Sequence, residues 1–165
     1  MNLDRRAFLA FGGAAMVAGV ALTLPGRGGD ADAKADNFPF RLTDAQWRQR
    51  LNPAQYATLR QAATERPFSS PLDHEHRRGI FHCAGCGQPL FSSTTKFDSG
   101  TGWPSFFRPL PHAVVTRSDH SLIEARTEVL CARCGGQLGH VFDDGPRPTG
   151  LRYCMNGVAM TFQAT

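Results

Sequence analysis

The sequence predicts a mainly β domain with antiparallel pairing, opened by two short helices and tied together by cysteines. Beyond Pro67, short runs at 79–82, 89–91, 113–116, 121–130, 138–142 and 151–162 are each bounded by Gly, Pro, Asp or Ser, the texture of short strands joined by turns. Four of the five cysteines form two Cys-x-x-Cys pairs, Cys83/Cys86 and Cys131/Cys134, set among glycines. Ahead of them stand two helix starts. Thr43 or Asp44 can accept the free amide hydrogens of a first turn, with Trp47 and Leu51 four apart on one face. Asn52 and Pro53 then stop that helix and start the next, which runs to about Ala63, with Asn52 as cap and Pro53 at the first helical position.

The first residues read as an address rather than as part of the domain. Asp4-Arg5-Arg6-Ala7-Phe8-Leu9 places two arginines before an uncharged run at 7–24, a pattern that resembles a twin-arginine export signal. Pro25 ends the run, and Ala31-Asp32-Ala33 and Ala33-Lys34-Ala35 are candidate cleavage sites. An uncleaved anchor is the alternative, since about 18 apolar residues is the lower limit of a spanning helix; the modest hydrophobicity of the run favours cleavage. Residues 1–35 are therefore expected to be signal and linker and 36–165 the domain, periplasmic, monomeric and without stable membrane insertion after cleavage. The leading segment carries Arg5, Arg6 and Arg27 against Asp4, Asp30 and Asp32, so the net charge of +4 survives its removal. That charge is scattered, with no basic run interleaved with aromatics, and a nucleic-acid partner is not expected.

The odd cysteine count divides into two chemistries. A tetrathiolate zinc site uses four thiolates as a closed structural centre, and Gly85, Gly87, Gly135 and Gly136 supply permissive backbone at both turns. Forty-four residues lie between Cys86 and Cys131, beyond the 15–20 or so of an ordinary zinc ribbon, so the site ties distant hairpins together. Disulfide pairing in an oxidising compartment is the alternative, and either reading makes these residues structural. Cys154 stands alone in Arg152-Tyr153-Cys154-Met155-Asn156. At strand period, Arg152, Cys154 and Asn156 share one face, where a guanidinium favours the thiolate and an amide can orient water or substrate. Two further segments carry chemistry. Trp103, between Gly102 and Pro104, offers an indole wall for a small apolar group, and His140, followed by Asp143 and Asp144, offers a proton donor or acceptor with a carboxylate to orient it. His74, His76, His82, His112 and His120 read as structural, with His82 a weak substitute ligand beside Cys83.

These segments resemble the B-type methionine sulfoxide reductases, which reduce the R epimer of methionine sulfoxide. The resemblance rests on Glu65-Arg66-Pro67-Phe68, Phe81-His82-Cys83-Ala84-Gly85-Cys86-Gly87, the block Gly102-Trp103-Pro104-Ser105-Phe106, Arg126-Thr127-Glu128-Val129, Gly139-His140-Val141-Phe142 and Arg152-Tyr153-Cys154-Met155-Asn156. It implies two twisted, mainly antiparallel sheets with short N-terminal helices and one zinc on Cys83, Cys86, Cys131 and Cys134. It also implies that Cys154 attacks the sulfoxide sulfur while His140 protonates the oxygen, leaving a sulfenic acid. Trp103 would hold the substrate methyl, Arg152 the thiolate, Asn156 a water or the sulfoxide oxygen, and Asp144 a place in the polar network.

Two positions depart from the family pattern. Gln137 stands where many relatives have a second histidine, and it can bind but cannot deliver a proton near neutrality. Thr101 stands where many have a resolving cysteine, so an external thiol, small or thioredoxin-like, is expected to regenerate Cys154. The substrates implied are oxidised proteins or peptides. Competing classes are a non-catalytic zinc-bearing binding module and a thiol–disulfide oxidoreductase that uses one Cys-x-x-Cys pair.

Overall fold

The computed structural model describes residues 37–119 and 126–165. The twin-arginine segment lies outside them, as does the start of the run expected from residue 121. Helix α1, Asp44–Arg50, is capped by Thr43, whose side chain accepts from the Gln46 amide while the Gln46 side chain returns to the Thr43 amide. Asn52 and Gln55 repeat the device for α2, Pro53–Gln61, and Ala62, at φ 57°, ends it in the left-handed region. Among the described residues no helix is long and apolar enough to cross a membrane.

Among the described residues nine strands follow: β1 (Gly79–Cys83), β2 (Pro89–Ser92), β3 (Lys96–Phe97), β4 (Ser105–Phe106), β5 (Val114–Asp119), β6 (Arg126–Cys131), β7 (Gln137–Phe142), β8 (Arg152–Met155) and β9 (Met160–Ala164). They form a three-stranded sheet, β2-β1-β9, and a six-stranded sheet, β3-β4-β8-β7-β6-β5, antiparallel throughout. The mainly β, two-sheet expectation holds. The run 151–162 is not one strand, however. A 3-10 turn at Gly157–Ala159 breaks it, sending β8 to the large sheet and β9 to the small one. The two-residue strands β3 and β4 are too short to show a period and were not expected from the sequence.

Aromatic rings fill the space between the sheets. Phe91 of the small sheet stacks on Phe106 of the large one with centroids 4.3 Å apart, and Phe81 meets Phe106 edge-on at 4.9 Å. Leu90, Val129, Leu138 and Met155 are buried with them. The alternation of β8 follows from this, since Met155 and Tyr153 pack toward the core while Arg152 and Cys154 face away from it.

The two Cys-x-x-Cys turns close the hairpins β1–β2 and β6–β7, one in each sheet, and are built alike. Gly87 N–H donates to the Cys83 carbonyl and Gly135 N–H to the Cys131 carbonyl, each at 2.8 Å, with both glycines at positive φ. Trp47 and Leu59 from the helices lie against Gly85 and Gly136, so α1 and α2 cover the cysteines.

Candidate active site and metal centre

Antiparallel register assembles the site, because directly opposed residues on neighbouring strands present their side chains on one face. Reading across the large sheet, Arg117 opposes Glu128, Glu128 opposes His140, His140 opposes Cys154 and Cys154 opposes Ser105. The thiol is thus flanked by an imidazole on one strand and a hydroxyl on the other. Gly139 is required where β7 meets β8, since a Cβ there would stand 2.1 Å from the Cys154 carbonyl oxygen.

Trp103, His140, Cys154 and Asn156 line one cavity of about 120 Å³, and Thr64, Arg126, Gly139 and Phe142 complete its wall. The indole is fixed by its Nε1–H, which donates to the Glu65 carbonyl at 3.2 Å. Glu65 is a hub. Its N–H donates to Asn156 Oδ1 at 3.0 Å, and its carboxylate accepts from the backbone N–H groups of Gly157 and Val158, the latter at 2.9 Å. Burial raises the carboxyl above its ordinary value against the pull of those two bonds. Gly102, at φ 86°, lets the tryptophan loop meet the other side of this segment, where Phe68 N–H donates to the Gly102 carbonyl at 2.7 Å.

The polar residues expected at the site divide differently from the sequence reading. The carboxylate beside His140 is Asp119, whose Oδ2 lies 3.0 Å from Nε2 and also accepts from Arg126 at 2.8 Å. An ionised carboxylate only accepts, so Nε2 carries the hydrogen. Asp144 instead forms a two-pronged pair with Arg152, both bonds at 2.8 Å, on an exposed edge, and is not among the cavity residues. Arg152 also lies over the Phe142 ring at 4.4 Å. Asn156 is 3% exposed and uses Oδ1 on Glu65 and Nδ2 on the Leu138 carbonyl at 3.1 Å, leaving one amide hydrogen for a ligand. Gln137 is buried at the bulge facing Leu130, away from the cavity lining. The partner of His140 was missed because Asp119 is 21 residues from it in sequence and reaches it only through the β5–β6–β7 ladder.

Thr101 faces the thiol, its hydroxyl 3.9 Å from Cys154 Sγ, and begins a hydroxyl chain through Ser99 at 2.8 Å to Ser105 at 2.7 Å. Burial pushes the Cys154 thiol up, and the Thr101 hydroxyl, the Arg152 guanidinium and the Ser105 hydroxyl pull it back only in part. Arg152 thus pulls toward the thiolate, and burial outweighs it.

The other four thiols converge at a second centre. Cys83, Cys86, Cys131 and Cys134 are all buried, and their sulfurs lie within 4.8 Å of one another. The Cys83–Cys134 and Cys86–Cys131 sulfurs are 3.7 Å and 3.5 Å apart. A tetrahedral site with zinc–sulfur bonds of about 2.3 Å needs sulfurs about 3.8 Å apart, so the donor set fits one zinc ion, whereas all five cysteines are free of disulfides. His82 stays out of the cluster, its Nδ1 lying 3.2 Å from the Gly87 carbonyl. Three arginines collar the turns: Arg50 donates to the Gly85 carbonyl at 2.5 Å, Arg60 to that of Cys134 at 3.1 Å and Arg133 to that of Cys86 at 3.0 Å.

Residues 51–164 match the SelR domain. The chain is 53% identical over 137 residues to a peptide methionine sulfoxide reductase MsrB of Bradyrhizobium diazoefficiens, covering 81% of this chain and 97% of that one. It is 54% identical over 122 residues to the protein of the same name from Agrobacterium fabrum, covering 73% and 90%. It is 52% identical over 130 residues to the chloroplastic peptide methionine sulfoxide reductase B1 of Oryza sativa subsp. japonica, covering 78% and 61%. A domain match over most of the chain, together with relatives at this identity, shows that the chain belongs to the MsrB family of SelR-domain proteins.

Proposed function

We propose that the protein reduces methionine R-sulfoxide in oxidised proteins or peptides to methionine. One observation carries the reading: a single half-buried thiol lies in a small cavity with an indole, an imidazole and a guanidinium, while the other four thiols are gathered in one cluster. Family membership supports the reaction class.

In the proposed step the substrate methyl lies against Trp103 and Cys154 Sγ attacks the sulfoxide sulfur. The oxygen is protonated by His140, with Asp119 holding the ring and Arg126 close to the developing charge. Oxygen passes to Cys154 and the thioether leaves, so the substrate sulfur gains two electrons and Cys154 loses two. The Cys154 thiol proton passes through His140 to the oxygen and ends with it as S–OH, which leaves His140 as it began and balances the step. An external thiol then attacks the sulfenic acid, releasing water and forming a mixed disulfide, and a second thiol frees Cys154. With Thr101 beside Cys154 and four thiols in the cluster, no internal thiol stands ready for this task; a thioredoxin-like dithiol suits it. Cys83, Cys86, Cys131 and Cys134 would hold one structural zinc, which fastens the turns of the two sheets and takes no part in the reaction. By the same reading Arg5 and Arg6 direct export to the periplasm, where the mature domain acts as a monomer.

The test is dithiothreitol-driven turnover of separated R and S epimers of a methionine sulfoxide peptide, with Cys154→Ser alongside. R-only reduction that vanishes in the variant is expected. Turnover of neither epimer by a folded, zinc-loaded protein would shift the reading to a non-catalytic binding module.

A further inference from the structure

A second, larger hollow adjoins the thiol cavity. It measures about 720 Å³ and runs between α2, the 3-10 turn Pro71–His74 and the C-terminal strand, with Ala54, Ala57, Pro71, Leu72, Val158 and Phe162 on its walls. Thr64 lines both spaces. The backbone also passes from one to the other, since Asn156 borders the thiol cavity and Gly157 and Val158 border the groove.

We infer that this groove seats the apolar stretch of oxidised polypeptide that adjoins the methionine sulfoxide in sequence, an inference that rests on the proposed reaction. The first reason is continuity. A cavity of about 120 Å³ takes the head of one side chain, so the attached backbone stays outside and lies along whatever surface borders the opening. Across Thr64 that surface is the groove. The second reason is chemistry. Methionine is a residue of protein interiors, and its sulfoxide disrupts the core that held it, so the residues exposed beside it are themselves apolar. The groove presents matching walls. Its one carboxylate, Glu65, is engaged by the Gly157 and Val158 amides and is not directed to a charged small thiol.

The experiment compares two pentapeptides with a central methionine R-sulfoxide, one flanked on one side by Leu-Val and the other by Ser-Gly, with the Leu-Val pair tried before and after the sulfoxide. The full chain is used with Ala54→Asp and Leu72→Asp; Ala54 is exposed near the start of α2, where an added carboxylate favours the helix. In one of the two orders the wild type should prefer the Leu-Val peptide by about tenfold in kcat/KM, acting through KM, as expected from burying one or two apolar side chains. Both substitutions should cut that ratio several-fold. Fluorescence anisotropy of the same labelled peptides on Cys154→Ser reads the groove without turnover. A preference seen in anisotropy without turnover in the wild type would sustain the groove and remove the reaction. Turnover with no preference in either order, a preference unmoved in both variants, or a groove closed by a second copy in a concentration-dependent dimer would overturn the inference.

Discussion

Glu65 offers the most discriminating perturbation. Its carboxylate accepts two backbone N–H groups, one from buried Gly157 and one from half-buried Val158, immediately beyond the segment that carries Cys154 and Asn156. Glu65→Ala leaves both donors without an acceptor. A buried donor left unmade costs about 1–3 kcal/mol, and water can reach Val158 more readily, so the expected loss is about 2–4 kcal/mol. For a domain of this size that is a fall in Tm of roughly 8–16 °C at about 4 °C per kcal/mol. Glu65→Gln behaves differently. Burial outweighs the two bonds and raises the carboxyl, so a neutral amide that keeps one acceptor and avoids the cost of burying a charge should stay within about 1 kcal/mol of wild type. The pH dependence follows in sign. A raised folded value means that the contribution of Glu65 to stability is fully present below the ordinary carboxylate value and is lost as pH rises through the folded value. Glu65→Gln removes that loss. Urea unfolding of the three proteins between pH 4 and 8, read as midpoints at constant slope, measures all of this. The reasoning fails if Glu65→Ala is as stable as wild type, or if Glu65→Gln is as damaging as Glu65→Ala.

Four other outcomes are expected. Alkylation of Cys154 by iodoacetamide should rise with pH to a midpoint above that of an ordinary thiol, and Thr101→Val should move it higher still, since the Thr101 hydroxyl stabilises the thiolate; a midpoint below 8 would contradict this. With the Thr101 hydroxyl 3.9 Å from Sγ, Thr101→Cys should form a disulfide to Cys154 after one equivalent of peroxide, seen as a loss of about 2 Da by mass spectrometry. Stripping the proposed zinc from the four-cysteine site should unfold the domain, because metal-binding free energy is folding free energy in such sites. Arg133→Met should speed zinc release to a chelator by about threefold or more at low ionic strength and less in high salt, as a tetrathiolate centre carries excess negative charge; a salt-independent rate equal to wild type would remove the arginine collar from consideration.

Signals confined to a few residues were legible in the chain itself. Thr43 with Gln46, and Asn52 with Gln55, start the helices through bonds three residues long. The Cys-x-x-Cys-Gly turns close on their own backbone, and strand alternation alone separates Arg152 and Cys154 from Tyr153 and Met155. Where alternation continued across a hidden break, as at 157–159, the reading joined two strands that belong to different sheets.

Local sequence determined which residue types were available for chemistry: one lone thiol, four paired ones, an indole between turns and a histidine on a strand. Only tertiary pairing decided their neighbours. Asp119 rather than Asp144 meets His140, and Glu65 reaches Gly157 across 92 residues to hold both Trp103 and Asn156 in place. The physical reason is that a period of two tells which face a side chain takes but not which strand lies beside it. That choice rests on burial of the core, where Phe81 and Phe91 of one sheet meet Phe106 of the other.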